Sequence, residues 1–244
     1  MYQLLKSLAY KIVSKRQLFR YEVAFRNIYS VFYSGSKHEC TICKRKLRTF
    51  LTLPNNDRLC PKCGSLSRDR RLWQLLDTEF LAPGQKVLDF SPSRPLSRQM
   101  RKQATIDYMA SDLSGNFIAD HQFDITKIGL NTASLDLIIC YHILEHIDDD
   151  RKAMAELYRT LRVGGKAIVQ TPFKEGGIYE NSLITDPKER EVHFGQDDHV
   201  RIYSVNGLKG RLEGAGFLVD IRHFNGDDYN GFANRETVFV LTKT

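Results

Sequence analysis

The sequence predicts an α/β fold in which a mainly parallel sheet follows an N-terminal helix and a small cysteine-rich ribbon. Three observations support this prediction. Short apolar runs alternate with helical segments after residue 83, two Cys-x-x-Cys pairs stand between residues 40 and 63, and basic residues concentrate near the N-terminus. Strands that alternate with helices form mainly parallel sheets, whose ligands bind at the carboxyl ends of the strands.

The composition is typical of a soluble globular protein. The 244 residues are 42% hydrophobic and 27% charged, which leaves ample material for a core. No apolar run approaches the roughly 18 residues of a membrane-spanning helix, and Lys6 and Lys11 interrupt the stretch where a signal peptide would be apolar. Four cysteines stand in close pairs and Cys140 lies alone in an apolar run, which favours a reducing compartment. We therefore expect a cytoplasmic protein.

The net charge of +7 is unevenly distributed along the chain. Residues 1–75 hold 16 basic and 4 acidic side chains, whereas the remaining residues hold 20 basic and 25 acidic ones. Such an asymmetry predicts different partners for the two parts. We expect three regions: a basic amphipathic helical segment at 1–36, a ribbon at 37–66 and an α/β domain at 67–244.

The first region has the apolar periodicity of a helix between residues 2 and 33. Its apolar positions are Leu4, Leu5, Leu8, Ile12, Phe25, Ile28 and Phe32, and six lysines and arginines accompany them. A basic amphipathic helix with aromatic residues can lie on an anionic membrane surface. It can also pack on its own protein or on a second subunit, and we favour this second interpretation. The sequence does not predict the oligomeric state.

Four cysteines form a metal-binding pattern. Cys40 and Cys43 are separated by sixteen residues from Cys60 and Cys63, a spacing typical of structural zinc sites. A predicted strand and turn between the pairs would bring them together as a hairpin. Gly64 can adopt the left-handed conformation that wraps backbone amides around the thiolates. Four thiolates close the coordination shell, so the predicted Zn²⁺ organises structure and performs no chemistry.

The ribbon region also carries arginines that could contact RNA. They are Arg45, Arg48, Arg68, Arg70 and Arg71. A solvated basic surface explains them equally well, so the sequence leaves RNA binding open.

The elements of the α/β domain follow in order. Apolar runs predict strands at 86–90, 108–112, 135–140, 166–170, 217–221 and 237–241. A helix is predicted at 148–161, because acidic residues begin it, arginines stand near its end and Gly164-Gly165 stops it. A second helix is predicted at 205–214.

The stretch CYHILEHIDDD at 140–150 contains the His-x-x-Glu-His pattern of an inverted zinc protease. In such a protease the two histidines, here His142 and His146, would share a long helix. The acidic residues at 148–150 instead begin the predicted helix, and the stretch follows an apolar strand. We therefore favour the rim of a pocket at the end of a strand. A loop network that satisfies Glu145 and His146 is the alternative.

Residues 86–173 resemble class I S-adenosylmethionine (SAM)-dependent methyltransferases of the type 11 group, and within that group a subset with an N-terminal cysteine zinc ribbon. The resemblance rests on KVLDFSP, ASDL, FDI and, above all, SLDLIICYHILEHIDDDRKAMAELYRTLRVGGKAIVQTPF. It implies a Rossmann-like, mostly parallel sheet of seven strands. It also implies SAM as cofactor, held by Asp89, Phe90, Ser91, Pro92, Asp112, Leu113, Asp124, Ile125, Tyr141 and His142.

Among these residues, the resemblance places Asp89 beside the methionine moiety and Asp112 on the ribose hydroxyls. Asp124 and Ile125 would contact the adenine. The family's first loop is usually glycine-rich, whereas DFSPSRP at 89–95 contains no glycine. The same absence argues against a dinucleotide enzyme.

A second polar stretch, EREVHFGQDDHVRIY at 189–203, falls where this fold usually inserts substrate-binding structure. We predict His199 or His193 as a general base, with His142 as third candidate, because histidine can accept a hydroxyl proton near neutral pH. We predict acceptor binding by Gln196, Asp198, Arg201 and Tyr203. A polar loop held by its own hydrogen bonds is the alternative.

These observations predict a SAM-dependent methyltransferase acting on a hydroxylated small molecule, a sugar or a lipid-linked glycan. Two alternatives remain open: an RNA methyltransferase whose ribbon binds RNA, and a non-catalytic scaffold.

Overall fold

The computed structural model describes the backbone of residues 15–115 and 117–244 and the side chains of residues 21–115 and 117–244. Helix α1 (Lys15–Tyr29) continues into a short 3₁₀ turn (Ser30–Tyr33). The predicted N-terminal helix is therefore present over its second half. The predicted apolar positions Leu4, Leu5, Leu8 and Ile12 lie outside the described residues.

Helix α1 contacts the rest of the chain through its polar side. Glu22 accepts hydrogen bonds from Arg94 and Arg98 at 3.0 and 2.9 Å and from Arg26 one turn later. On the other side, Phe25 and Ile28 are 69% and 70% exposed. Nothing within the described residues covers this apolar face, so contact with a membrane surface or a second subunit stays a prediction.

Two short hairpins form the ribbon. Strand β1 (Ser34–Glu39) pairs with β2 (Lys46–Leu47), and β3 (Leu51–Thr52) pairs with β4 (Arg58–Leu59), both antiparallel. The first cysteine pair lies in the turn between β1 and β2, and the second pair directly follows β4. The predicted strand and turn at 46–57 are thus present, and they bring the two pairs together.

The strands after the ribbon are β5 (Lys86–Phe90), β6 (Asp107–Ser111), β7 (Leu135–Tyr141), β8 (Leu161–Gln170), β9 (Tyr179–Glu180), β10 (Arg201–Ile202), β11 (Phe217–Phe224) and β12 (Glu236–Lys243). Strands β9 and β10 form a separate pair, and the other six form the central sheet in the order β11-β12-β8-β7-β5-β6. The four strands from β8 to β6 are parallel, and β12 runs antiparallel to both of its neighbours, β8 and β11. The predicted α/β fold with a mainly parallel sheet is confirmed.

The sheet has six strands, which corrects the prediction of seven. At the β6 edge, where a further strand would pair, the described chain makes only one parallel bridge, between Ser111 and His121. The intervening sequence LSGNFIADHQ (113–122) has no apolar run of strand length. Gly115 has a φ of +68°, so the chain turns here instead of extending.

The remaining helices are α2 (Ser67–Leu75), which a π-helical turn extends through Phe80, α3 (Arg94–Met100), α4 (Asp150–Thr160), α5 (Pro187–Phe194) and α6 (Val205–Gly214). Helix α4 begins at a side-chain cap, because the carboxylate of Asp149 accepts the backbone N–H of Lys152 at 3.0 Å. The predicted helices at 148–161 and 205–214 correspond to α4 and α6. No helix in the described part of the chain combines the length and apolar character needed to cross a bilayer.

Both faces of the sheet are buried. Helices α4 and α6 cover one face, with Met154, Leu157 and Leu208 in its core. Helices α2 and α3 cover the other face, and the ribbon packs into that same core. The ribbon contributes Cys40, Ile42, Leu47, Phe50 and Cys60 to it. Ribbon and sheet therefore share one continuous hydrophobic core.

Arg70 ties the ribbon to the C-terminal part of the chain. Its guanidinium is fully buried and donates to the carbonyl oxygens of Ser65, Arg58, Asn230 and Gly231. It also lies 4.2 Å from the ring centroid of Phe50. A buried guanidinium is stable only where its donors are satisfied, so the loop at 225–232 completes the packing of the ribbon.

Candidate active site

The carboxyl ends of β5 and β7 meet where the chain order of the sheet reverses. Strand β5 pairs with β6 on one side and with β7 on the other. Such a switch point opens a crevice in which α/β proteins bind ligands. Asp89 near the end of β5, Asp112 directly after β6 and Tyr141 at the end of β7 all stand at this edge.

Asp89 is a buried carboxylate without a cationic partner. It is 1% exposed, accepts a hydrogen bond from the Tyr108 hydroxyl at 3.0 Å, and joins no ion pair within the described residues. Burial raises the pKa of Asp89 to about 8, and the Tyr108 hydrogen bond opposes that shift only in part. A cation bound in the crevice would stabilise the ionised form.

Asp112 holds the glycine-free first loop in place. Its carboxylate accepts the Ser91 hydroxyl at 2.9 Å, the Ser114 hydroxyl at 3.1 Å and the Phe117 N–H at 3.1 Å. Ser91 has a φ of +46°, a conformation that glycine adopts at less cost. The loop therefore makes the tight turn with a serine, which the Asp112 hydrogen bond stabilises.

An open cavity lies beside Asp112. Its lining residues are Asp112, Gly115, Phe117, Ala119, Asp120, His121 and Gln122. Among the described residues that line it, Asp112 alone belongs to the predicted cofactor residues. Pro92 in the first loop is buried, Phe90 and Ile125 belong to the core, and Leu113 is 61% exposed.

Asp124 is exposed and accepts the N–H and hydroxyl of Thr126 at 2.8 Å. These two hydrogen bonds lower the pKa of Asp124. Whether Asp124 and Ile125 contact an adenine ring stays a prediction.

Three buried polar atoms at the ends of β7 and β8 have no hydrogen-bond partner within the described residues: Tyr141 Oη, His142 Nε2 and Gln170 Oε1. Tyr141 and Gln170 are paired across the two strands. His142 has a φ of +55°, and its backbone N–H donates to the Gln170 carbonyl oxygen at 2.8 Å. Unsatisfied buried polar atoms are costly, so each of these three atoms is a candidate for contact with a bound polar group. Gln170 was not predicted from the sequence.

The three predicted bases occupy different environments. His142 Nδ1 lies 3.1 Å from the buried Glu145 carboxylate, and because a carboxylate only accepts, Nδ1 carries the hydrogen. His199 is buried, and its Nδ1 donates to the Phe194 carbonyl at 3.1 Å. Burial lowers the pKa of His199, and nearby His146 acts in the same direction. His193 is exposed and pairs with the Tyr179 hydroxyl at 2.7 Å.

Of the four predicted acceptor-binding residues, Gln196 and Asp198 are exposed, whereas Arg201 and Tyr203 are buried in the protein's own contacts. Arg201 donates to the carbonyl oxygens of Leu144, Ile147 and Asp148 and pairs with Glu180. Tyr203 donates to the Asp150 carboxylate. These contacts give Arg201 and Tyr203 a positioning role on the loop after β7. Acceptor binding by all four residues stays a prediction.

The four ribbon cysteines bring their sulfur atoms together. Every pair lies within 4.8 Å, with Cys40 and Cys63 at 3.6 Å and Cys43 and Cys60 at 3.7 Å. A tetrahedral zinc ion with Zn–S bonds of about 2.3 Å needs sulfur atoms about 3.8 Å apart. The two turns match, because each places a left-handed residue after its second cysteine: Lys44 with φ +54° and Gly64 with φ +80°. The cysteine cluster thus fits a zinc ion.

Comparison with known proteins identifies the family of this chain. The family described as "Methyltransferase domain" matches residues 65–220, which begin directly after the second cysteine pair. The demethylmenaquinone methyltransferase of Renibacterium salmoninarum is similar at 29% identity over 116 residues, which cover 43% of this chain and 48% of the relative. This chain therefore matches about half the length of that curated relative.

Solved structures share the fold. The [4+2]-cyclase SpnF aligns with a TM-score of 0.56 and 15% identity over 93% of this chain and 96% of its own. Phosphoethanolamine N-methyltransferase 2 of Haemonchus contortus, solved with S-adenosyl-L-methionine, aligns with a TM-score of 0.52 and 16% identity over 72% of this chain and 52% of its own. At these identities the likeness shows the fold alone, and the cyclase name shows that the fold also serves other reactions.

Proposed function

Because the chain belongs to the methyltransferase-domain family, we propose that it is a SAM-dependent methyltransferase whose acceptor is a hydroxylated small molecule, a sugar or a lipid-linked glycan. The observation that carries this proposal is Asp89. It is a buried carboxylate at the switch point of the sheet, and none of the ion pairs within the described residues neutralises it.

When bound, SAM supplies a methyl group on a positively charged sulfur and an ammonium group nearby. Asp89 would hold positive charge in the crevice, because a cation replaces the proton that burial now favours on its carboxylate. Asp112 would accept the ribose hydroxyls from the adjoining strand end, beside the open cavity. Its carboxylate already accepts hydrogen bonds from the hydroxyls of Ser91 and Ser114, which supports this role.

His142 is the residue that the geometry favours as proton acceptor. Glu145 orients its ring through Nδ1, which leaves the lone pair on the unpartnered Nε2, as in other histidine–carboxylate pairs. An imidazole has a suitable affinity for the proton of a hydroxyl group. Methyl transfer otherwise needs mainly alignment of acceptor, methyl and sulfur, which the loop held by Arg201 would support.

The cysteine ribbon would hold a structural zinc ion. Four thiolates leave no open coordination position. Burial lowers the pKa of Arg70, and the nearby negative charges of Cys40, Cys60 and Cys63 oppose that shift. The ribbon would therefore stabilise the core that it shares with the sheet.

The RNA alternative is less well supported. Of the five arginines that could contact RNA, Arg70 and Arg71 are buried. Both donate to carbonyl oxygens of the C-terminal loop. Two of the five are thus unavailable for a phosphate backbone.

Calorimetry with S-adenosylhomocysteine tests donor binding. We expect the wild type to bind, and Asp112→Ala to bind at least tenfold more weakly. Asp120→Ala is the matched control, because Asp120 lines the same cavity but pairs with Arg101. Absence of binding by the wild type would favour the scaffold alternative.

Radiolabelled SAM with fractionated cell extract then tests the acceptor. We expect label in a small-molecule, lipid or glycan fraction that ribonuclease leaves unchanged. Label that ribonuclease removes would select RNA instead.

A further inference from the structure

Three potential ligand side chains converge beside the loop after β7. The ligand atoms of Glu145, His146 and His199 all lie within 4.8 Å of one another. Glu145 and His199 are 1% and 3% exposed, whereas the side chain of His146 is 28% exposed. The proposed methyl transfer uses Glu145 only to orient His142, so the convergence of the two other side chains needs a separate explanation.

His199 presents a buried lone pair. Its Nδ1 lies 3.1 Å from the Phe194 carbonyl oxygen, and because that oxygen only accepts, Nδ1 carries the hydrogen. Nε2 is then the acceptor atom, and it is buried without a hydrogen-bond partner within the described residues. This nitrogen is free to bind a ligand.

His146 is oriented in the same way. Its Nδ1 lies 3.3 Å from the Asp198 carboxylate, which leaves Nε2 as the free nitrogen. The rings of His146 and His199 meet edge to face, with centroids 4.6 Å apart. Two imidazoles that each anchor Nδ1 on an oxygen atom have the arrangement found around metal-binding histidines.

Glu145 completes the set. Its Oε1 accepts from His142 Nδ1 at 3.1 Å, and its Oε2 is buried without a partner. A buried carboxylate oxygen without a partner is among the more costly groups in a protein. The backbone fixes the two halves of the cluster together, since the Val200 N–H donates to the Glu145 carbonyl at 2.9 Å.

We propose that Glu145, His146 and His199 bind one divalent first-row transition ion, such as Zn²⁺ or Mn²⁺, at a site separate from the cysteine cluster. Two imidazoles and one carboxylate form a donor set that suits these ions. Bonds of about 2.1 Å place donor atoms at most about 4.2 Å apart, so side-chain movements of a few tenths of an ångström close the site. One ion would bind both Glu145 Oε2 and His199 Nε2, which are buried without a hydrogen-bond partner within the described residues.

This site differs from the zinc protease pattern that the sequence suggested. There, His142 and His146 would both be ligands. Here His142 is hydrogen-bonded to Glu145, and the second imidazole comes from His199 after α5. A histidine that binds metal through Nε2 and donates through Nδ1 has no lone pair left to accept a proton. Of the three predicted bases, the site therefore excludes His199 and leaves His142 able to accept a proton. Three protein donors leave further coordination positions to water or to oxygen atoms of a bound molecule.

The test is a Mn²⁺ titration of the full chain with zinc retained in the cysteine cluster, followed by calorimetry and electron paramagnetic resonance. Mn²⁺ prefers nitrogen and oxygen donors to thiolates, so the cysteines compete little. We expect one Mn²⁺ per wild-type chain, displaced by one equivalent of Zn²⁺. Glu145→Gln and His146→Ala should each bind Mn²⁺ at least tenfold more weakly. His223→Ala is the matched control, because His223 is exposed on β11 and bonds Thr237.

Far-ultraviolet circular dichroism and one retained zinc per chain identify variants that fold. His146 is partly exposed, so its alanine variant keeps the test valid if the buried Glu145 variant fails to fold. Equal Mn²⁺ affinity in the wild type and His146→Ala would overturn the proposal. So would a wild type that binds no Mn²⁺ and no Zn²⁺ beyond the cysteine cluster. The experiment contains no methyl donor, so its outcome does not depend on the proposed methyl transfer.

Discussion

Replacing Asp89 with asparagine should change how stability depends on pH. Burial raises the pKa of Asp89 from its ordinary value of 3.8 to about 8. Between these values the folded protein keeps a proton that the unfolded chain has released. The stabilisation is therefore complete below pH 3.8 and is lost as the pH rises toward about 8. Asparagine keeps the shape and the acceptor for Tyr108 but has no proton to lose.

The magnitude follows from the linkage relation. One pH unit in this window changes the free energy of unfolding by about 1.4 kcal/mol per extra bound proton. Between pH 5 and pH 7 the wild type should therefore lose about 2 to 3 kcal/mol relative to Asp89→Asn. For a protein of this size that difference corresponds to about 5 to 10 °C in Tm.

Urea unfolding at pH 5, 6 and 7 without donor measures this difference. Titration of groups common to both proteins cancels when the two free energies of unfolding are subtracted at each pH. Asp107→Asn is the control for loss of a carboxylate, because Asp107 is exposed on β6. Parallel profiles for wild type and Asp89→Asn would refute the view that Asp89 is buried without a cation.

The other predictions concern the cysteine cluster, a tight turn and the first loop. Cys43→Ser should reduce bound zinc below one per chain by mass spectrometry and should lower the Tm, because the cluster shares its core with the sheet. An unchanged Tm would show that metal binding does not stabilise that core. Gly231→Ala should lower the free energy of unfolding in urea by at least about 2 kcal/mol more than Gly84→Ala does. Both glycines have positive φ, but of the two only Gly231 has side chains where a Cβ atom would stand, with Phe50 at 2.5 Å. Equal losses of stability would contradict the tight packing at Gly231. Ser91→Gly should retain S-adenosylhomocysteine affinity within threefold by calorimetry. Glycine adopts the φ of +46° at less cost, and this gain offsets the loss of the hydrogen bond to Asp112. A loss of affinity beyond tenfold would show that the serine hydroxyl is required.

Local signals in the sequence were sufficient for the sheet and for two helices. Helix α6 has the predicted bounds, and β5 coincides with the apolar run at 86–90, because apolar periodicity and capping residues act over short distances. The cysteine spacing likewise brought four sulfur atoms together. The seventh strand was predicted wrongly. It was expected only from the resemblance to a family, and the sequence at 113–122 has no apolar run that would support a strand.

Contacts between distant residues could not be predicted. Glu145 and His146 were visible in the His-x-x-Glu-His pattern, but their neighbour His199 follows a helix that the sequence analysis missed. Arg201 was expected to bind the acceptor, and its carbonyl partners lie more than 50 positions earlier in the chain. Such pairs depend on tertiary packing, which periodicity does not report. The assignments of individual site residues stay predictions for the same reason.

The Arg70 contacts constrain the order in which the chain can mature during synthesis. The carbonyl of Asn230 that receives this guanidinium is made 160 residues later, a delay of roughly 8 to 30 s at ordinary elongation rates. Until then the arginine must stay hydrated, and the surface that it will seal is accessible to chaperones and proteases. The packing of the ribbon is therefore completed only after the loop at 225–232 has been synthesised.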